Sequence, residues 1–338
     1  MSNRDVFFRR FDGVLSKKRR FVVVSHLNPD GDALGSSLAM MRFLQALGHE
    51  VTAMVPNDFP AFLAWMPGAD KLLVYSQNMS RCKALLAEAE YIIFVDFNHP
   101  SRAGLMQPEL NAAKAPYILI DHHHDPDYSK FYCYLSETEV SSASELVAEV
   151  ITHYGKDRLD EEISTNLLAG MITDTGSFSH SIYSPNVFNM CSMLVEKSMP
   201  YIKIHQNIYD TFSEGRLRLL GYSINKMQML DEYATAVIWL DKKELESFNY
   251  QVGDTEGIVN YPLSIEKIKM SVLISERNSV IRLSFRSKGE FSVHELCAKH
   301  FSGGGHTNAA GGTFNGKLED AVAKLYEILP EYKEKLNS

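Results

Sequence analysis

With 338 residues, 45% of them hydrophobic and 22% charged, the chain is long enough for two globular domains, each with its own core. The formal net charge of −8 excludes a protein that coats nucleic acid by general electrostatic attraction, so a nucleic-acid partner is short and not a long duplex. Cys82, Cys133, Cys191 and Cys297 lie far apart without a CxxC pair, which excludes a zinc knuckle or disulfide framework and suits a reducing cytoplasm.

The first 20 residues carry Arg4, Arg9, Arg10 and the run Lys17-Lys18-Arg19-Arg20, with no apolar stretch leading to a cleavage site. They read as a solvated helix end, not a secretory leader. No window approaches the ~18 apolar residues of a membrane span, so no membrane partner is expected. Residues 21–24 read as a strand, 33–47 as a helix closed by Gly48, and 51–55 as a second strand, which together make a βαβ unit.

Residues 91–95 and 117–120 are further strands, apolar on both faces as in a buried parallel sheet, and each runs into an aspartate. Helices at 143–154 and 161–173 complete a doubly wound α/β domain over 1–190, and a helical connector follows over 191–228. A smaller α+β domain occupies 229–338. It has strands at 234–240 and 269–275, a turn at Glu276-Arg277-Asn278-Ser279, a return strand at 280–285, a short helix from Ser292 and an amphipathic helix over 318–336. Alternation in the return strand sets Ile281, Leu283 and Phe285 on one face and Arg282, Ser284 and Arg286 on the other.

The first strand hands over to its helix through His26-Leu27-Asn28-Pro29-Asp30-Gly31-Asp32, at the edge where open α/β sheets bind ligands. Read alone, this segment also fits a helix cap in which Asp32 satisfies free backbone N–H groups and His26 merely ends a strand. The other strand ends decide between these readings, because Asp96 and Asp121-His122-His123 fall at the same edge and Asp174 follows the helix at 161–173. Carboxylates gathered this closely repel one another unless cations lie among them. Carboxylate and imidazole donors without thiolates favour manganese, iron, cobalt or zinc over calcium, and two such ions suit phosphoryl chemistry.

These segments, in this order, resemble the four motifs of the DHH phosphoesterases: 26–36, the Asp96 strand end, Asp121-His122-His123, and Thr173-Asp174-Thr175-Gly176. Gly303-Gly304-Gly305-His306-Thr307-Asn308-Ala309-Ala310-Gly311 resembles the signature of the accompanying DHHA1 domain. The resemblance implies two divalent metal ions, manganese being the expected metal. His26, Asp30 and Asp96 would hold one and Asp32, Asp96, His122 and Asp174 the other. It also implies that His123 faces the phosphate, with Asp121 behind it orienting the histidines. His124, Asp125, Asp127, His99 and His205 are read as polar loop or surface residues.

In the second domain Gly303, Gly304 and Gly305 can turn backbone N–H groups toward an anion, and Arg282 and Arg286 can grip a phosphate, with His306 beside them. Two half-sites on separate domains imply closure around a substrate. Within the family the layout most resembles the bifunctional oligoribonucleases, or nanoRNases, which also remove the 3′-phosphate of 3′-phosphoadenosine 5′-phosphate (PAP). The resemblance therefore implies hydrolysis of short RNA or a small phosphorylated nucleotide in the cytoplasm. The rivals are a linear or cyclic dinucleotide phosphodiesterase, an inorganic pyrophosphatase, a single-strand DNA exonuclease and a catalytically silent nucleotide-binding regulator. The oligomeric state is open, a homodimer included.

Overall fold

The computed structural model describes residues 2–179, 185–277 and 280–337. The chain divides into two compact units, Met1–Thr211 and Phe212–Ser338. Asn278 and Ser279 of the expected turn lie outside the described residues.

The first unit runs α1 (Asn3–Leu15), β1 (Arg20–Val24), α2 (Gly31–Ala46), β2 (Glu50–Val55), β3 (Leu73–Val74), α3 (Met79–Glu88) and β4 (Tyr91–Val95). It continues through α4 (Gln107–Ala112), β5 (Tyr117–Asp121), β6 (Phe131–Ser136), α5 (Ala143–His153), α6 (Glu161–Asp174), α7 (Asn186–Val195) and α8 (Tyr201–Tyr209). Among the described residues the sheet has six strands in the order β3-β2-β1-β4-β5-β6, all parallel. The strand order reverses between β1 and β4, and the crevice outside their carboxyl ends is where doubly wound folds bind ligands.

Successive side chains of each strand enter opposite cores. Val23, Ile93, Val95, Ile118 and Ile120 pack with α1, α2, α5 and α6, while Val22, Val24, Ile92, Phe94 and Leu119 pack with α3 and α4. This two-sided burial is why the strands read as unbroken apolar runs. Helices α2 and α6 touch closely because of glycine, since a Cβ on Gly35 would lie 2.4 Å from the Asn166 carbonyl oxygen, and α6 approaches α5 in the same way, where a Cβ on Gly170 would lie 2.1 Å from Ser144 Oγ.

The second unit runs α9 (Glu214–Lys226), β7 (Gln228–Leu230), β8 (Thr235–Leu240), α10 (Lys242–Ser247), β9 (Met270–Arg277), β10 (Val280–Ser287) and α11 (Val293–His300). After these come β11 (Gly304–His306), β12 (Ala309–Phe314), α12 (Leu318–Ile328) and α13 (Lys333–Asn337). Its mixed sheet has the order β11-β12-β10-β9-β8-β7 among the described residues. One core forms against α11 and α12 and a smaller one against α9 and α10.

The stretch expected as a connector, 191–228, is divided between the units. Cys191, Leu194, Ile204 and Ile208 complete the first core, whereas Leu219 of α9 belongs to a core of the second. The amphipathic helix expected over 318–336 is interrupted by a 3-10 segment at Leu329–Tyr332, where Pro330 removes a backbone donor. Among the described residues no helix is long and apolar enough to cross a membrane.

Candidate metal centre

Four backbone segments bring their polar ends together at the carboxyl edge of β1, β4 and β5. Asp30, just before α2, caps that helix: its Oδ1 accepts from Asp32 N and Ala33 N, both at 3.0 Å. Capping therefore falls to Asp30 and not to Asp32. Asp32 instead reaches across to the start of α5, where its two oxygens accept from Ala143 N at 2.6 Å and Ser144 N at 2.8 Å. That helix N-terminus favours a buried carboxylate. Gly31 lies so close to α6 that a Cβ there would sit 2.3 Å from Thr173 Oγ1, which fixes the entry of α2 beside Asp174.

Asp96 follows β4 with φ +63, a left-handed conformation that a non-glycine residue adopts at a cost. The bend sets its carboxylate between two histidines, with Oδ2 3.3 Å from His26 Nε2 and Oδ1 3.2 Å from His122 Nε2. His122 Nε2 is also 3.7 Å from Asp32 Oδ2 and 3.6 Å from Asp174 Oδ2, and His26 Nε2 is 4.0 Å from Asp30 Oδ2. Donor atoms of His26, Asp30 and Asp96 lie within 4.8 Å of one another, as do those of Asp32, His122 and Asp174. Two groups of donors thus flank Asp96, and Asp32, Asp96 and His122 are each no more than 2% exposed.

The electrostatics follow from the crowding of these charges. Burial opposes ionisation of Asp96, but hydrogen bonds and positive charge from His122 and His26 outweigh it and hold the carboxyl well below its usual range. Burial and the charges of Asp96 and Asp174 push Asp32 well above that range. Burial works against a charged His122, yet the hydrogen bond to Asp96 and the charges of Asp174, Asp96 and Asp32 raise it to about 10. The cluster therefore holds protons on Asp32 and His122 more tightly than exposed groups would. His26 Nδ1 lies 3.0 Å from the Leu27 carbonyl oxygen, to which it donates, so in the neutral ring the lone pair of Nε2 points at the carboxylates. Oxygen and imidazole donors with this charge fit divalent metal ions.

Behind the donors, Asp121 ends β5 fully buried, and burial raises its carboxyl to about 6. Its Oδ1 is 2.8 Å from His123 Nδ1 and its Oδ2 accepts from His123 N at 3.1 Å, so the pair fixes the ring and its tautomer. His123 Nε2 then accepts from Arg102 Nη2 at 3.3 Å. Arg102 was not among the expected site residues. It lies on the 3-10 segment Pro100–Met106, six residues after Asp96, and Leu27 N donates to its carbonyl oxygen at 2.7 Å.

The surrounding polar residues make ordinary local contacts. The His124 carbonyl accepts from Asn98, Asp127 caps the turn Tyr128–Lys130, His99 caps Pro100–Met106, and His205 packs beside Tyr209 on α8.

In the second unit Arg282 pairs with Thr313 and Arg286 with Ala309 across β10 and β12, both arginines on the face opposite Ile281, Leu283 and Phe285. In the glycine cluster, Gly304 and Gly305 form a strand with His306, and Gly305 N donates to His294 Nδ1 at 3.1 Å. Close backbone approach explains Gly303, where a Cβ would lie 2.0 Å from the Gly311 carbonyl oxygen.

A parallel sheet with carboxylates and imidazoles converging at its switch point, followed by a mixed-sheet unit, defines an α/β protein built around a strand edge whose donors could hold metal ions. The chain belongs to the DHH family, with the DHH family N-terminal domain over residues 20–173 and a DHHA1 domain over 231–331. A crystal structure of an exopolyphosphatase-related protein from Bacteroides fragilis is 37% identical, with a TM-score of 0.92, and the match covers 99% of this chain and 98% of that one. The bifunctional oligoribonuclease and PAP phosphatase NrnA of Thermus thermophilus is 26% identical over 91% of this chain and 89% of its own length. The cyclic-di-AMP phosphodiesterase GdpP of Bacillus subtilis is 25% identical over 95% of this chain, which spans 49% of that protein.

Proposed function

We propose that this chain is a two-metal phosphoesterase that hydrolyses short oligoribonucleotides to mononucleotides and removes the 3′-phosphate of PAP. The observation that carries the reading is Asp96, whose two oxygens face His26 and His122 with a further group of donors on either side. His26, Asp30 and Asp96 are the proposed ligands of one ion, and Asp32, Asp96, His122 and Asp174 those of the other. Manganese is the proposed metal, from the hard oxygen and imidazole donors. When bound, such ions provide a water nucleophile at neutral pH and neutralise phosphate oxygens.

The chain's own residues position and protonate. Asp121 keeps a proton on His123 Nδ1, which leaves Nε2 to take up a proton and pass it to the leaving oxygen. Arg102 holds positive charge beside that nitrogen, where a phosphate oxygen is drawn in. Arg282, Arg286, Gly303, Gly304, Gly305 and His306 are proposed to hold the nucleotide part of the substrate. The relatives support short RNA and PAP as substrates, and the four buried, unbridged cysteines suit a reducing cytoplasm.

The test is a manganese-dependent time course on an end-labelled RNA trinucleotide, with Asp174→Ala as the control for contaminating nuclease. The account predicts stepwise release of mononucleotides by the wild type alone. A trinucleotide left intact while a linear or cyclic dinucleotide is cleaved would replace this reading with a dinucleotide phosphodiesterase.

A further inference from the structure

The face of β10 that carries Arg286 also carries Arg282, and β9 adds Arg277 to the same face. In the register of the two strands Arg282 lies opposite Ser275 and Arg277 opposite Val280. Arg277 Nε donates to Ser275 Oγ at 3.2 Å, so its guanidinium folds back over the position that faces Arg282. Arg277 Nη2 also donates to Thr255 Oγ1, and the group sits 5.6 Å from the centre of the Tyr250 ring. Arg277 is thereby held in place by a hydroxyl on each side and an aromatic face.

Arg282 is half-buried beside it, and burial together with the charge of Arg277 lowers its pKa. Among the described residues neither guanidinium has a carboxylate as an ion-pair partner. The acids of the neighbouring loop, Asp254 and Glu256, act on Arg216 instead. Two like charges held together across a sheet are unfavourable, and an anion between them removes the repulsion. Guanidinium groups match phosphate oxygens with directed N–H donors. Arg282 stands four residues from Arg286, about 14 Å along an antiparallel strand, too far for both to grip one phosphate.

We propose that Arg282, one of the substrate contacts proposed above, acts with Arg277, braced by Thr255 and Tyr250, as a second anion subsite in this unit, which binds a phosphate group separate from the one at Arg286. As a place for a substrate phosphate the subsite rests on the nucleotide reading above; as an anion site it stands without it. The phosphate is supplied either by the far end of a longer oligonucleotide or by free phosphate in solution.

The test titrates inorganic phosphate calorimetrically into the metal-stripped full chain as wild type, Arg277→Gln, Arg282→Gln and Arg282→Lys, with circular dichroism confirming the fold. Each glutamine variant is predicted to weaken one phosphate-binding event by roughly tenfold, and the lysine variant by less. Should a glutamine variant unfold, Thr255→Val withdraws a hydroxyl that holds Arg277 and is predicted to weaken phosphate by roughly threefold.

Metal-loaded protein distinguishes the sources. If the phosphate belongs to the substrate, the ratio of kcat/KM for a tetraribonucleotide to that for PAP falls roughly tenfold in the glutamine variants. If it is free phosphate, that ratio holds in Arg277→Gln, and added phosphate changes the rate of the wild type but not of Arg277→Gln. Phosphate binding equal to the wild type in the folded variants overturns the subsite. A wild type that cleaves no oligonucleotide, yet loses phosphate binding on Arg282→Gln, overturns the nuclease reading and leaves the subsite standing.

Discussion

Asp121 and His123 show how single residues divide the work at this centre. The buried carboxylate accepts from both the backbone N–H and the ring Nδ1 of His123. In Asp121→Asn one of those acceptors becomes an NH2 donor, so the ring loses its orientation and tautomer. We predict that kcat falls by about 10²–10⁴ while the bound metal stays at the wild-type level, because Asp121 is not a proposed ligand. Metal analysis beside the pH–rate profile checks this, and an unchanged kcat would remove His123 from the chemistry. The aspartates and histidines of the site were legible because each follows an apolar run or opens a helix within a few residues. Arg102 was not: its segment has no periodicity, and only the fold carries it to His123. The capping role of Asp30 was likewise not read from the sequence, since Asp30 and Asp32 precede or open the same helix and only the position of α5 separates their partners.

At the level of elements, the metal edge depends on the close passage of α2 over α6. Gly35→Ala would press a methyl group against the Asn166 carbonyl. We expect a loss of about 1–3 kcal/mol in urea unfolding, typical of overpacking, together with weaker metal binding because Asp30 and Asp32 ride on the start of α2. Wild-type stability and metal affinity in this variant would show that the helix spacing is not a constraint. The strands β1, β4 and β5 were readable because burial on both faces leaves continuous β-branched and aromatic runs. β12, with the sequence Ala309-Ala310-Gly311-Gly312-Thr313-Phe314, has low strand propensity and forms through its pairing with β10 and β11. The short strand at Gly304–His306 was not expected for the same reason: glycine signals freedom, and here close packing uses it.

Over the whole molecule, the proposed centre makes metal and proton competitors. His122 has its folded pKa raised to about 10, so its contribution to stability is complete below about pH 6.5 and is lost as pH rises toward 10. Asp32, raised by burial and neighbouring charge, and Asp121, raised to about 6, also make the metal-free fold less stable as they ionise with rising pH. In the proposed centre, metal binding displaces the protons of His122 and Asp32 and strengthens with pH. The gap in Tm between metal-loaded and metal-stripped protein is therefore predicted to widen from about pH 6.5 to about pH 9. A gap that narrows over that range would contradict the electrostatic account.

The two-unit organisation was visible in the sequence as a change from parallel-sheet to alternating patterns. The division of 191–228 between the units was not, because helical periodicity names a buried face without naming the core it joins. The most direct test of the whole account is the metal content of dialysed, manganese-loaded protein, wild type against Asp96→Asn, read beside trinucleotide hydrolysis. Two ions per wild-type chain, with loss of at least one ion and of hydrolysis in the variant, is the predicted result. Full hydrolysis by a wild type that holds a single ion, or by Asp96→Asn, would contradict a centre built around a shared Asp96 carboxylate.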